Sequence, residues 1–361
     1  MGDRKLALES NMLENKFKWA VVGAGPAGIA AIGLLLDKNI SEKDILWVDP
    51  DFKVGDFGQK WGEVSSNTSV QLFLDFLNQI KSFEYSKCDK QFALNIQDKA
   101  GFTQLKNAAE PLRWVTDNLK DKVATSHDKI LEQYVSDDVW NLVGDKQTYN
   151  AEKVILTTGS TPKSLNIHSI DSAQEISLAT ALTPSILVKE LKQNDKVAVF
   201  GSSHSAMIII RNLVEAGVNN IANFYLEPLR YAVNMGEWTL YDNTGLKGET
   251  AKWVKQNISQ NLDLRIKRYL STKEQTDKHL PNYNKVIYAT GFDQRAPVIG
   301  GIDFRVYDPT TGIIAPGLFG AGIAFPCKVA DPNGNVELNV GLYKFMKDIS
   351  RMLPLWMEYG L

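Results

Sequence analysis

Two short glycine runs constrain this chain more than any other feature. The first, Gly23-Ala24-Gly25-Pro26-Ala27-Gly28, follows the apolar run Trp19-Ala20-Val21-Val22. The second, Gly201-Ser202-Ser203-His204-Ser205-Ala206, follows Val197-Ala198-Val199-Phe200. An apolar strand that enters a glycine turn and leaves as a helix is the opening of a dinucleotide-binding βαβ unit. In the first run each glycine has a task. Position 23 needs a tight turn, position 25 needs bare backbone against a diphosphate, and position 28 needs close packing of helix on strand. The phosphates then meet unpaired N–H groups at the positive end of the helix. Two such units suggest two dinucleotides, most economically FAD and NAD(P)H set face to face for hydride transfer.

The surroundings sharpen the first reading. Ile45-Leu46-Trp47-Val48 reads as the next strand, and Asp49-Pro50 ends it, where a carboxylate accepts from a ribose hydroxyl. The second run is degenerate. Ser203 replaces the middle glycine and Ala206 the last, and alanine is tolerated there because the helix still packs. His204 opens that helix, as a contact to phosphate or nicotinamide or as a solvated helix-start side chain. Beyond the next strand, Arg230 suits a 2′-phosphate and NADP, whereas Glu227 suits a ribose hydroxyl and NAD. The sequence leaves that choice open.

Composition narrows the class. With 361 residues, 44% hydrophobic and 23% charged, the chain has room for two globular domains. A net charge of -2 gives no reason to expect nucleic acid or membrane as a partner. No apolar run reaches membrane-spanning length, and the polar start does not read as a secretory signal. The two cysteines, Cys88 and Cys327, are far apart, which fits a cytoplasmic location and removes a disulfide reductase built on a closely spaced redox pair. No metal site is expected.

Along the chain, a polar extension precedes Phe17. A strand over 18–22, a helix over 26–37 and the strand ending at Val48 make one βαβ unit. Mixed helix is expected around 70–81 and over 104–120. Short apolar segments between 129 and 158, separated by Asp137-Asp138 and Gly144-Asp145 turns, predict a β-meander. Thr157-Thr158-Gly159 closes this unit, and Thr290-Gly291 closes the next, whose helix is expected over 203–216 with Gly217 as its cap. The fold class is therefore α/β, with two Rossmann-like dinucleotide-binding domains of three layers and a meander in the FAD domain. The expected division is residues 1–163 and 295–361 for FAD and 164–294 for NAD(P). The chain returns through Gly317 to Gly322 to a C-terminal helix over 338–352. The aromatic-rich segment 226–247 is expected as a lid, a substrate wall or a subunit interface, so a homodimer stays open.

These residues resemble the two-dinucleotide-domain flavoproteins of the pyridine nucleotide-disulfide oxidoreductase-like superfamily, and within them the flavin-containing monooxygenases. The likeness covers most of 17–340. It rests on residues 23–28, the Thr-Gly segments at 157–159 and 289–292, the second glycine turn, and the loop Gly58-Gln59-Lys60-Trp61-Gly62-Glu63-Val64-Ser65-Ser66-Asn67-Thr68-Ser69. The resemblance implies that Asn67 lies beside the flavin ring and that Gly322-Ile323-Ala324-Phe325-Pro326 runs near it. The family's longer FxGxxxH-type fingerprint is missing between the two turns, and Phe57 stands where a second loop glycine is usual.

The resemblance implies an FAD-dependent NAD(P)H oxidoreductase, a monooxygenase acting through a flavin hydroperoxide on a small molecule. Asn67 would aim a neutral donor at the adduct without protonating it. Residues 67–69 also read as an N-cap before Val70, and Trp61 as a flavin contact or ordinary core. Two other readings stand beside this one: an electron-transfer reductase without oxygen insertion, and a non-catalytic nucleotide-binding regulatory protein.

Overall fold

A computed structural model describes residues 16–165, 173–301, 303 and 305–361. Nearly all of the predicted polar extension before Phe17 lies outside the described residues. Five parallel strands form the first sheet's spine, in the order Ala124–Ser126, Ile45–Val48, Lys16–Val22, Thr148–Leu156, Leu318–Gly320. All four side chains of Ile45–Val48 are buried, as expected for a parallel strand covered on both faces. The strand Thr148–Leu156 serves two layers. Its first half pairs antiparallel with Val139–Gly144, which pairs with Ile130–Ser136 to complete the predicted meander. Its last residues pair with Leu318–Gly320, so the chain does return to the first sheet from the far side of the second. Asp137 and Asp138, both at positive φ, make the two-residue hairpin turn.

The second sheet is wholly parallel, in the order Gln174–Glu175, Lys285–Tyr288, Lys196–Phe200, Asn220–Tyr225, Ile266–Leu270. The helix Pro26–Asp37 packs on the first sheet and His204–Glu215 on the second, each over its own apolar cluster. Gly217, at φ +83°, follows the second helix and donates to the Val214 carbonyl at 3.1 Å, the left-handed C-terminal turn that glycine permits.

Some boundaries differ from the sequence reading. The C-terminal helix is Leu342–Glu358, not 338–352. Its start is delayed because Val336–Leu338 pairs with Lys328–Ala330 in a hairpin. It runs on past Pro354, which faces solvent, because Leu353 and Trp356 are fully buried and Trp356 stacks on Phe319 at 5.0 Å. Residues 65–69 form a strand against Phe102–Gln104, not a capping turn. Ser69 stands at the cap of Val70–Gln79 without a side-chain bond. The carbonyls of Gly101 and Lys99 accept from Val70 and Gln71 instead.

Candidate active site

The two glycine turns are built on the same plan. Gly23 N donates to the Val48 carbonyl at 2.8 Å, and Gly201 N donates to that of Phe224 at 2.8 Å. The Gly23 carbonyl accepts from Trp47 Nε1 at 2.9 Å, and the Gly201 carbonyl from Asn223 Nδ2 at 2.7 Å. A Cβ on Gly23 would stand 2.5 Å from the Thr157 carbonyl oxygen, and one on Gly201 2.4 Å from that of Ala289. Both glycines are at positive φ, so no side chain fits either turn. Thr157 Oγ1 donates to the Val22 and Gly23 carbonyls and locks the first turn.

The first turn has the shape a diphosphate needs. Gly28 is packed shut, since its Cβ would fall 2.0 Å from the Gly23 carbonyl oxygen. Gly25 is the opposite: a Cβ there meets nothing within 4 Å. Gly25 caps the helix without a side-chain bond, and Pro26 takes the first helical position, where its missing N–H costs nothing. The amides of Ala27 and Gly28 therefore face an open mouth. Asp49 does not wait free for a ribose. Its Oδ2 accepts from Ala24 N at 2.8 Å, and its Oδ1 from Asp51 N and Phe52 N at 2.8 and 2.7 Å. A carboxylate oxygen has room for two bonds, so Oδ2, with one, keeps an acceptor position. The exposed Pro50 offers its carbonyl to the His127 ring at 3.2 Å. Gly322 closes the mouth from the C-terminal side: at φ +79°, its Cβ would sit 2.7 Å from that of Ala27. Ile323, next to it, is 37% exposed.

The two Thr-Gly segments meet at the crossovers. Ser160–Pro162 and Phe292–Gln294 form an antiparallel two-stranded ribbon joining the sheets. Thr158 Oγ1 donates to the Arg295 carbonyl, and Arg295 N donates to that of Gly159 at 3.0 Å. Thr290 and Gly291 hold Lys163 in the same way, with Lys163 N donating to the Gly291 carbonyl at 3.0 Å. Arg295 is a residue that motif reasoning missed. Its guanidinium bonds Asp56 and the Ser160 carbonyl, both at 3.0 Å, and ties the ribbon to the helix Gly55–Gln59 behind Gly25. Its position a few residues after the second Thr-Gly pair was the available signal.

Trp61 is half-buried against the second sheet's apolar cluster, edge-on to Phe292 at 6.5 Å, so it packs across the two units. Asn67 is exposed on Ser65–Ser69, a strand in contact with the helix Gly248–Val254 of the second unit. Its Oδ1 accepts from Thr68 Oγ1 at 3.3 Å. At the second turn Ser203 is exposed, and Ser202 and Ser205 are half-buried. His204 is not the solvated side chain that one sequence reading allowed. Both ring nitrogens are buried and without a partner among the described residues, and burial, aided by the Lys247 cation, pushes its pKa down to about 4. It is a neutral imidazole at the mouth of a helix. Arg230 and Glu227, read as rival markers of NADP and NAD, pair with each other at 2.9 Å.

The segment 226–247 is strapped to the chain's C-terminal part. Glu337 accepts from the amides of Asn243 and Thr244 at 3.1 and 3.0 Å, and Lys344 Nζ bonds Asp242 and Asn243 at 2.5 and 2.7 Å. Cys88 and Cys327 are unpaired. Burial pushes the Cys327 thiol up to about 12, so it carries no thiolate at neutral pH. Among the described residues no group of three or more His, Cys, Asp or Glu is placed to hold a metal ion. No helix among them is long and apolar enough to cross a membrane.

Residues 17–234 match the family described as pyridine nucleotide-disulphide oxidoreductase. The chain is 32% identical to Monooxygenase AgnR1 of Paecilomyces divaricatus over 93% of its own length and 97% of that protein's. This chain belongs to the pyridine nucleotide-disulphide oxidoreductase family. It is an FAD-dependent oxidoreductase, with FAD and NAD(P)H as the cofactors the family's paired turns serve. Its fold is shared with a flavin-containing monooxygenase from Stenotrophomonas maltophilia, at a TM-score of 0.66 and 14% identity, over 96% of this chain and 99% of that one. The monooxygenase OTEMO, solved in complex with FAD and NADP, superimposes with a TM-score of 0.58 at 13% identity, over 95% and 85% of the two chains.

Proposed function

We propose that the protein is a monooxygenase that places one oxygen atom of O2 on a small molecule, an amine, a sulfur compound or a ketone. NAD(P)H supplies the two electrons, and the other oxygen leaves as water. What supports this reading is the pair of matched turns, one open at Gly25, joined by the ribbon 160–162/292–294, in a chain 32% identical to a named monooxygenase. The flavin-binding domain is residues 1–163 and 295–361, and the nicotinamide-binding domain is 164–294. The backbone of Gly23, Gly25, Ala27 and Gly28 would hold the flavin diphosphate, with Pro26 shaping the mouth. Asp49 would take a ribose hydroxyl, while Thr158, Gly159 and Gly322 would line the approach to the ring. Gly201, Ser202, Ser203 and Ser205 would hold the nicotinamide nucleotide, beside His204 and the Thr290-Gly291 crossover. Bound flavin supplies the redox chemistry, accepting hydride and activating oxygen.

The chain's own part is position and dryness. Asn67, at the boundary between the units, offers a neutral amide N–H that cannot give up its proton. Incubation with NADPH and a thioether, an amine or a cyclic ketone should give oxygenated product in step with the nicotinamide consumed. Asn67→Ala should keep its flavin and its reduction by NADPH but lose product yield by roughly tenfold, releasing hydrogen peroxide. If electrons reach only a carrier or a quinone, the protein is a reductase and the oxygen-transfer reading fails.

A further inference from the structure

Resting on the nicotinamide reading, one cation of the second unit meets no carboxylate among the described residues. Arg268 lies on the strand Ile266–Leu270, level with Asn223 of the neighbouring strand. Its Nε donates to Asn223 Oδ1 at 3.0 Å, and Asn223 Nδ2 in turn holds the Gly201 carbonyl at 2.7 Å. The guanidinium is thus one side chain away from the phosphate turn. It lies at 4.4 Å over the ring of Tyr225, the carboxyl-terminal residue of Asn220–Tyr225, and its Nη2 is buried with no partner among the described residues. The groups that act on its charge are the phenols of Tyr225 and Tyr231, not carboxylates, and burial lowers its pKa. A second cation stands by: exposed Lys255 lies over the Tyr231 ring at 4.9 Å, whose hydroxyl pairs with Ser259 Oγ at 2.7 Å.

A half-buried guanidinium without a carboxylate is costly, and an unmatched buried N–H adds to the cost. In open α/β sheets ligands sit at the carboxyl ends of the strands, with the adenosine ribose near the end of the strand that follows the glycine turn. Here that strand is Asn220–Tyr225. Arg230, the arginine closer in sequence, is already neutralised by Glu227. We propose that Arg268, assisted by Lys255, binds the 2′-phosphate of NADPH and makes the enzyme prefer NADPH to NADH.

The test uses the intact flavoprotein and two probes, 2′,5′-ADP and 5′-AMP, which differ only in the 2′-phosphate. Wild type should bind 2′,5′-ADP at least about tenfold more tightly and reduce its flavin faster with NADPH than with NADH. Arg268→Gln should lose about 30-fold in 2′,5′-ADP affinity and in NADPH kcat/KM, with 5′-AMP affinity and NADH kcat/KM changed less than about threefold. Arg268→Lys should recover part of the loss, and Arg230→Gln should change neither ratio. If Arg268→Gln does not fold, the surface variant Lys255→Gln decides, with a severalfold loss confined to 2′,5′-ADP and NADPH. Equal wild-type binding of the two probes overturns the assignment. So does discrimination that survives Arg268→Gln, or survives Lys255→Gln where that variant decides. Failure of flavin reduction by either nicotinamide, with 2′,5′-ADP discrimination intact, would instead sink the oxidoreductase step while leaving Arg268 in place.

Discussion

At the scale of single residues, two glycines of the first turn, Gly28 and Gly25, make opposite predictions. Gly28→Ala forces a methyl to within 2.0 Å of the Gly23 carbonyl oxygen, so the helix must lift. The variant should lose several kcal/mol of stability, on the order of 3, and be flavin-free. Gly25→Ala meets nothing within 4 Å, so the apo-protein should melt within a degree or two of wild type. If Gly25 borders the flavin diphosphate as proposed, the methyl intrudes on it, and FAD affinity should fall at least about tenfold in a fluorescence titration. A variant that keeps wild-type affinity would show that the mouth is not the cradle. His204 gives a pH prediction. Its pKa is depressed from 6.5 to about 4, so its contribution is complete above pH 6.5 and is lost as pH falls toward 4. Denaturation of apo wild type and His204→Asn should show a stability difference that shrinks by roughly 2–3 kcal/mol across that window. These glycines were legible in the sequence because their requirement is steric and local. The burial of His204 was not, because it depends on the folded surroundings, Lys247 among them, and not on local pattern.

At the scale of elements, the strap between 226–247 and the C-terminal helix has the clearest consequence. Lys344→Met removes the ammonium that joins Asp242 to the C-terminal helix and leaves Asp242 with Lys247 as its ion-pair partner among the described residues. Unfolding free energy should fall by about 1–2 kcal/mol, and hydrogen exchange should quicken at residues 241–247 first. Unchanged exchange there would mean that the contact holds nothing in place. The sequence marked the segment as aromatic-rich but left its partner open, since its anchors, Glu337 and Lys344, are roughly a hundred residues further on. The helices at 26–37 and 105–120 and the meander follow from period and turn residues and lie where the pattern puts them. The C-terminal helix was misjudged at both ends: a hairpin delays its start, and buried Trp356 carries it through Pro354. Both are tertiary effects that override local preference.

At the scale of the whole molecule, a mixed sheet and a parallel sheet are joined by the ribbon 160–162/292–294, and Arg295 pins that ribbon to the helix behind Gly25. The duplication of plan was readable because both turns repeat the same strand, glycine and helix. The second turn keeps the tight corner at Gly201, which admits no side chain, but differs one helical turn on, where Ala206 carries the methyl that Gly28 cannot. The central claim is that the turn at 23–28 holds FAD and that a nicotinamide on the second unit reduces it. Anaerobic titration of the purified protein with NADPH, followed by flavin absorbance, tests this most directly. We expect yellow protein with one FAD per chain, bleached fully by one equivalent of NADPH. Colourless protein that cannot be reconstituted with FAD, or flavin that stays oxidised under both NADPH and NADH, would contradict it.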